Sequence, residues 1–295
     1  MALSPRLPLF EDETVRSWLE RLTAYHGPSS VEDLCRQLGI NHEGLRHGER
    51  DDILRLSDIT GESPALIRRN LISTTVKGDL RLGPHVLTAV LRPATDRRVC
   101  ADCLKEDASC GPPTFYLRER WEWQLATSQK CNRHDRELTR IDPEDEHWRE
   151  GFVQPKASRK KTIDTAPEDS RFHDWLRQEL KQRSKAGWSA DMSLPDAVDA
   201  AGVIGVTIGL GSNERWQDLD FARKRDALNL GHDLVCRDRE ALRPALLAQV
   251  ERNGTSFGRG RNHGSPLGML WSWMRHRREL APSDPLTNMF FAILT

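Results

Sequence analysis

The chain has 295 residues with 44 basic and 44 acidic side chains, so its formal net charge is zero, which argues against a stand-alone electrostatic DNA binder with its usual basic excess. A hydrophobic content of 37% against 30% charged residues suits a soluble protein with modest cores, and no run approaches the ~18 apolar residues of a membrane span. The opening Met1-Ala2-Leu3-Ser4-Pro5-Arg6 lacks the apolar stretch of a secretory leader, so the expected location is cytoplasmic, and the six cysteines read as metal ligands and buried thiols before disulfides.

The first predicted helix runs from an N-cap at Asp12 to about Tyr25 and closes at Gly27, with Val15, Trp18, Leu19 and Leu22 on one buried face. A second spans about Val31 to Leu38, directs Val31, Leu34, Cys35 and Leu38 inward and stops at Gly39. A third covers about Asp51 to Thr60 and ends at Gly61. Ser63-Pro64 then starts a fourth, with Leu66, Ile67 and Leu71 as core positions. The pair 53–60 and 63–70 resembles a helix-turn-helix, with Arg68 and Arg69 on the second helix where a recognition helix carries its side chains. The same pattern fits any helical hairpin with a glycine turn, and the packing hairpin is the favoured reading.

The strongest chemical signal comes next. Cys100 and Cys103, then Cys131 and His134, form a C-x2-C and a C-x2-H pair. Zn²⁺ prefers four N/S ligands in a tetrahedron, and a closed Cys3His set leaves no position for substrate water. The pairs therefore point to a structural zinc module and away from a zinc enzyme. The 27 residues from 104 to 130 exceed the usual span of a compact ribbon. They have room for a loop and a strand pair, with Phe115-Tyr116-Leu117 read as strand-like and Trp121 and Trp123 as a small core beside the metal. Cys110 lies in this insert without a C-x2 partner, and Cys35 and Cys236 read as buried thiols.

Residues 141–169 are rich in charge and proline, including Lys156, Arg159, Lys160 and Lys161, and read as a linker or long loop. Further helices are expected at about Ser170 to Lys185, Leu194 to Ala201, Leu219 to Asn229, Arg239 to Arg252 and Pro266 to Arg277, with a glycine-rich connection from Asn253 to Gly264. Gly205 to Gly211 reads as a turn. Trp271 and Trp273 suit a homodimer interface as well as a core, and the apolar run Phe290 to Thr295 implies that the terminus packs or that the chain continues. No H-E-x-x-H, G-x-S-x-G or P-loop lysine occurs, so no catalytic residue is assigned.

The fold expected is mainly α. A helix-turn-helix-like segment spans 1–80, a zinc-ribbon-like module with short strands 81–140, a linker 141–169 and a C-terminal helical domain 170–295.

Pro8-x-x-Glu11-Asp12-Glu13 leading into Ser17-Trp18-Leu19-x-Arg21-Leu22 resembles the opening signature of the TniQ family of transposition proteins. Val99-Cys100-x-x-Cys103-Leu104-x-Glu106-Asp107, Trp121 and Cys131-x-x-His134-x-x-x-Leu138 are similar to that family's zinc segment. Gly264-x-Pro266-Leu267-Gly268-x-Leu270-x-x-Trp273 looks like a looser family pattern. The chain departs from the family at Ala101, where proline is frequent, and at Asn132 in the second knuckle. The resemblance implies a non-catalytic adaptor of DNA transposition. Such an adaptor binds attachment-site DNA or a DNA-targeting complex and recruits an AAA+ ATPase that directs the transposase. It also implies Cys100, Cys103, Cys131 and His134 as zinc ligands, and Trp18 and Arg21 as fold-defining positions. The alternatives are an independent helix-turn-helix and zinc transcriptional regulator, or a zinc hydrolase with an open coordination position.

Overall fold

A computed structural model describes residues 3–76, 78–88, 90–91, 97–128, 130–141, 171–182, 193–237, 239–253, 267–280 and 285–294. The chain is mainly helical with a few short strands, and it divides into two compact units, Met1–Asp164 and Thr165–Thr295.

The first unit begins with α1 (Val15–His26). Its N-cap is Thr14, whose hydroxyl accepts from the Ser17 amide, and its end is Gly27 at φ 83°, a left-handed position that costs glycine nothing. Asp12, the expected cap, lies outside the helix and pairs instead with Arg118 and Arg120. The predicted face is the buried one: Val15, Trp18, Leu19 and Leu22 join Leu34, Leu45, Ile53, Leu56 and Ile67 in one core. Each such side chain contributes about 1.5–3 kcal/mol on burial. Trp18 also satisfies its indole N–H on the Leu7 carbonyl at 2.8 Å.

Helices α2 (Val31–Gln37), α4 (Arg50–Thr60) and α5 (Pro64–Asn70) follow the expected order. Between α2 and α4 lies α3 (His42–His47), absent from the sequence reading. Asn41 caps it and Gly48 ends it, but Leu45 is its one large core residue, so it carries no apolar period. After α5 the chain forms a three-stranded antiparallel sheet of β1 (Ile72–Thr74), β2 (Leu80–Leu82) and β3 (His85–Leu87).

Strand β4 (Arg97–Val99) leads into α6 (Ala101–Ser109), α7 (Pro113–Tyr116) and α8 (Trp121–Gln124). The 104–130 insert is thus helical. Phe115 and Tyr116, expected in a strand, lie in α7, where Pro113 in the first turn presets the helical φ. The module closes with β5 (Lys130–Cys131), β6 (Arg136–Glu137) and β7 (Thr139–Ile141). β5 pairs with β6 and β4 with β7, both antiparallel. Trp121 and Trp123 are buried as expected, and Trp123 joins Val99, Leu104, Leu117 and three cysteine side chains in a small core. Arg120 lies over its ring at 4.7 Å.

In the second unit, α9 (Arg171–Gln182), α10 (Leu194–Gly205), α11 (Phe221–His232), α12 (Arg239–Asn253), α13 (Gly268–Leu280) and α14 (Pro285–Leu294) correspond to the expected helices and the apolar terminal run. Phe290 is fully buried with Ile204, Leu242, Leu246, Leu270 and Met274. Gly205 to Gly211 is not a simple turn. α10 passes into a π-helical stretch at Val206–Leu210, and the chain leaves helical geometry at Gly211. Gly205 faces the backbone of Ala227 so closely that a Cβ would sit 1.7 Å from its carbonyl oxygen. Gly231 meets Ala201 in the same way at 1.8 Å. α10 and α11 therefore touch backbone to backbone. The expected linker beyond Ile141, with Lys156, Arg159, Lys160 and Lys161, the glycine-rich connection beyond Asn253 and the Cys236 side chain lie outside the described residues.

Candidate metal centre

Each half of the C-x2-C and C-x2-H pattern is positioned by a different element. β4 delivers Cys100 to the N-cap of α6, and Cys103 follows in the first helical turn. The β5–β6 hairpin presents Cys131, and its turn carries His134 next to Asp135 at φ 49°, the non-glycine left-handed residue among those described. The β4–β7 pairing holds the two halves together, with Val99 opposite Thr139.

The four side chains converge so that their ligand atoms all lie within 4.8 Å of one another. Cys103 Sγ is 3.5 Å from Cys131 Sγ and 3.3 Å from His134 Nδ1. Cys100 Sγ lies 3.5 Å and Cys131 Sγ 3.7 Å from the same nitrogen. Metal–sulfur bonds of ~2.3 Å put tetrahedral neighbours ~3.8 Å apart, so one small cation fits between the four atoms. The thiols are free, and 3.5 Å is far beyond a disulfide bond.

Electrostatics favour a cation in the same place. Cys131 is pushed well below the usual thiol range, first by hydrogen bonds from Cys100 and Cys103 and further by the Arg133 amide. Cys103 is pushed far above it by the neighbouring thiols and by burial. Without a countercharge, three clustered sulfurs cannot all ionise; a divalent ion removes that conflict. Three buried sulfurs and one imidazole are the donor set of a closed tetrahedral site.

Cys110 and Cys35 are separate from the cluster. Cys110 is exposed and its thiol reaches the Glu106 carbonyl at 3.6 Å. Cys35 is buried in the helical core, and burial first, then Asp52 and Glu32, push its thiol up to about 11, which keeps it protonated and inert.

Sequence reasoning gave Arg21 a fold-defining place through the family resemblance and left the other charged residues around this centre without a role. Asp107, one turn after Cys103, accepts from Arg118 at 2.7 Å and from Arg120 at 3.1 Å, and both arginines also reach Asp12. Arg97 pairs with Glu20 at 2.8 Å and Glu119 at 2.6 Å. The Glu119 amide donates to Ser17 Oγ at 2.9 Å. At the centre of this network, Arg21 bonds both oxygens of Glu13 and donates to the Pro8 and Phe115 carbonyls. The first helix and the metal module thus share one buried polar network. No residue spacing marked this network: Asp107 lies four positions after Cys103, and its partners Arg118 and Arg120 follow 11 and 13 positions later.

The family model described as TniQ matches residues 4–138, a span that includes α1 and all four candidate ligands. No curated protein matches the chain.

Proposed function

We propose that this chain, which over residues 4–138 belongs to the TniQ family, is a non-catalytic zinc-containing adaptor of DNA transposition. It would select a target by binding DNA or a DNA-targeting complex, and would recruit a transposition AAA+ ATPase and through it the transposase. The observation that carries this reading is the coincidence of the family match with a closed Cys3His cluster inside it. Cys100, Cys103, Cys131 and His134 would hold Zn²⁺. The ion would supply cross-linking of the two knuckles, with all four positions taken by protein atoms.

Two surfaces support the targeting role. Arg68 is exposed on α5, the second helix of the α4–Gly61–α5 hairpin. Arg81 is exposed on β2 of the sheet that directly follows. Guanidinium groups on a helix and an adjoining sheet suit phosphate contacts, whereas the zero net charge suits a protein whose other surfaces meet protein. No helix among the described residues is long and apolar enough to cross a membrane.

The test is a fluorescence-anisotropy titration of the full chain on target and random DNA over a salt series, run with and without a transposition AAA+ ATPase. An adaptor binds DNA weakly alone and gains affinity or retention with the ATPase. Tight, sequence-specific binding by the chain alone, unaffected by the ATPase, would instead mark a transcriptional regulator. In either case the log–log salt slope counts phosphate contacts at about −0.9 each.

A further inference from the structure

His134 turns Nδ1 toward the three sulfurs, and its other nitrogen, Nε2, lies 2.8 Å from Glu106 Oε1. Glu106 is held in turn, since Arg133 reaches its second oxygen at 2.9 Å. The helix α6 makes this contact possible. Glu106 follows Cys103 by three residues, so the thiol and the carboxylate occupy neighbouring positions on one face. The imidazole sits between them, with metal-side donors at one nitrogen and a carboxylate at the other. A free histidine offers either nitrogen to a metal, and the hydrogen bond made by one nitrogen decides which remains for the ion.

We infer that Glu106 is a positioning residue of the metal centre: by accepting the Nε2 proton of His134, it fixes the ring and presents Nδ1 as the ligand. The inference rests on the reading of this site as a zinc centre. Asp102, on the same helix, meets Arg136 at 2.9 Å and Lys105 at 3.3 Å but touches no ligand, which makes it the internal control. Because the Glu106 side chain is 45% exposed, water replaces part of its contact once it is removed. The effect therefore belongs near the lower end of the 10–100-fold range of such carboxylate partners.

The experiment measures Zn²⁺ affinity of the full chain by competition with a chromophoric chelator, for wild type, E106A, E106Q and D102A. Long-range ¹⁵N imidazole spectra of the Zn²⁺-loaded proteins report the tautomer. Expected are a roughly tenfold weaker affinity for E106A, a smaller loss for E106Q, whose amide oxygen still accepts, and an unchanged affinity for D102A. The wild-type spectrum should carry the His134 proton on Nε2, with E106A giving mixed ligation. Equal affinities for E106A and wild type overturn the inference, as does a D102A loss matching that of E106A. A misfolded E106A, seen by circular dichroism, leaves E106Q and the wild-type tautomer to decide: a proton on Nδ1 refutes the assignment. Failure of wild type to bind one equivalent of Zn²⁺ removes the zinc reading itself, a result separate from any difference among the variants.

Discussion

Replacing Arg21 by alanine tests whether the buried charge network or the apolar core holds the first helix in place. Arg21 is 1% exposed and Glu13 0%. The substitution removes two hydrogen bonds to the Glu13 carboxylate, at 2.8 and 2.7 Å, and strips the partner from the Pro8 and Phe115 carbonyls. Leaving one member of a buried ion pair uncompensated costs about 3–5 kcal/mol. Each stranded carbonyl adds about 1–3 kcal/mol where water cannot reach it. Against a typical domain stability of about 5–15 kcal/mol, Arg21→Ala approaches global unfolding of the first unit. Urea titration followed by tryptophan fluorescence reports the change, since Trp18 lies one turn away on α1. Glu13→Gln in the same background should recover part of the loss by removing the stranded charge. The pH dependence has a definite sign. Burial raises the Glu13 carboxyl above its ordinary value, with Arg21 as the main opposing influence, so losing Arg21 raises it further. A carboxyl raised in the folded state favours folding while protonated, and that contribution is lost as pH rises through the folded value. The Arg21→Ala deficit should therefore be largest at pH 8 and shrink toward pH 5. A deficit below about 1 kcal/mol, or one independent of pH, would refute the reasoning.

Cys103→Ala should abolish stoichiometric zinc binding and erase the drop in melting temperature that a chelator causes in wild type, whereas Cys110→Ala, whose thiol lies outside the cluster, should keep a full equivalent of metal by atomic absorption. In the second unit, Gly231→Ala drives a Cβ against the Ala201 carbonyl and should cost about 1–3 kcal/mol or more in chemical denaturation. Gly209→Ala meets only the flexible end of Leu230 and should cost clearly less; equal losses would show that the α10–α11 contact is looser than drawn.

The Cys/His cluster was legible because residue type and spacing are both local, and the two pairs converge in space. The long helices were legible for the related reason that their apolar period repeats, as in Val15, Trp18, Leu19 and Leu22. Short elements without a period were not: α3 buries one large side chain, and α7 takes its form from Pro113. The capping choice between Asp12 and Thr14 was decided at long range. The Asp12 carboxylate is engaged by Arg118 and Arg120, more than a hundred positions away, which leaves the Thr14 hydroxyl for the helix. The Glu13–Arg21 pair falls in the same class, since its third partner, the Phe115 carbonyl, belongs to the insert. Tertiary ion pairs carry no sequence period, so residue spacing could not announce them.

The order in which the ribosome releases the chain gives this long-range network a further meaning. Helix α1 is made well before the groups that close around its polar face, Phe115 and Glu119, which emerge about a hundred residues later. The fourth member of the Cys/His cluster, His134, and the strand that pairs with β4, Thr139–Ile141, come later still. At about 5–20 residues per second, α1 waits several seconds or more with Glu13 and Arg21 unburied. Its buried pair is thus a late acquisition, completed once Phe115 and Glu119 have left the exit tunnel. On the zinc reading proposed above, metal supply during translation would then govern how much of the newborn protein reaches its finished form.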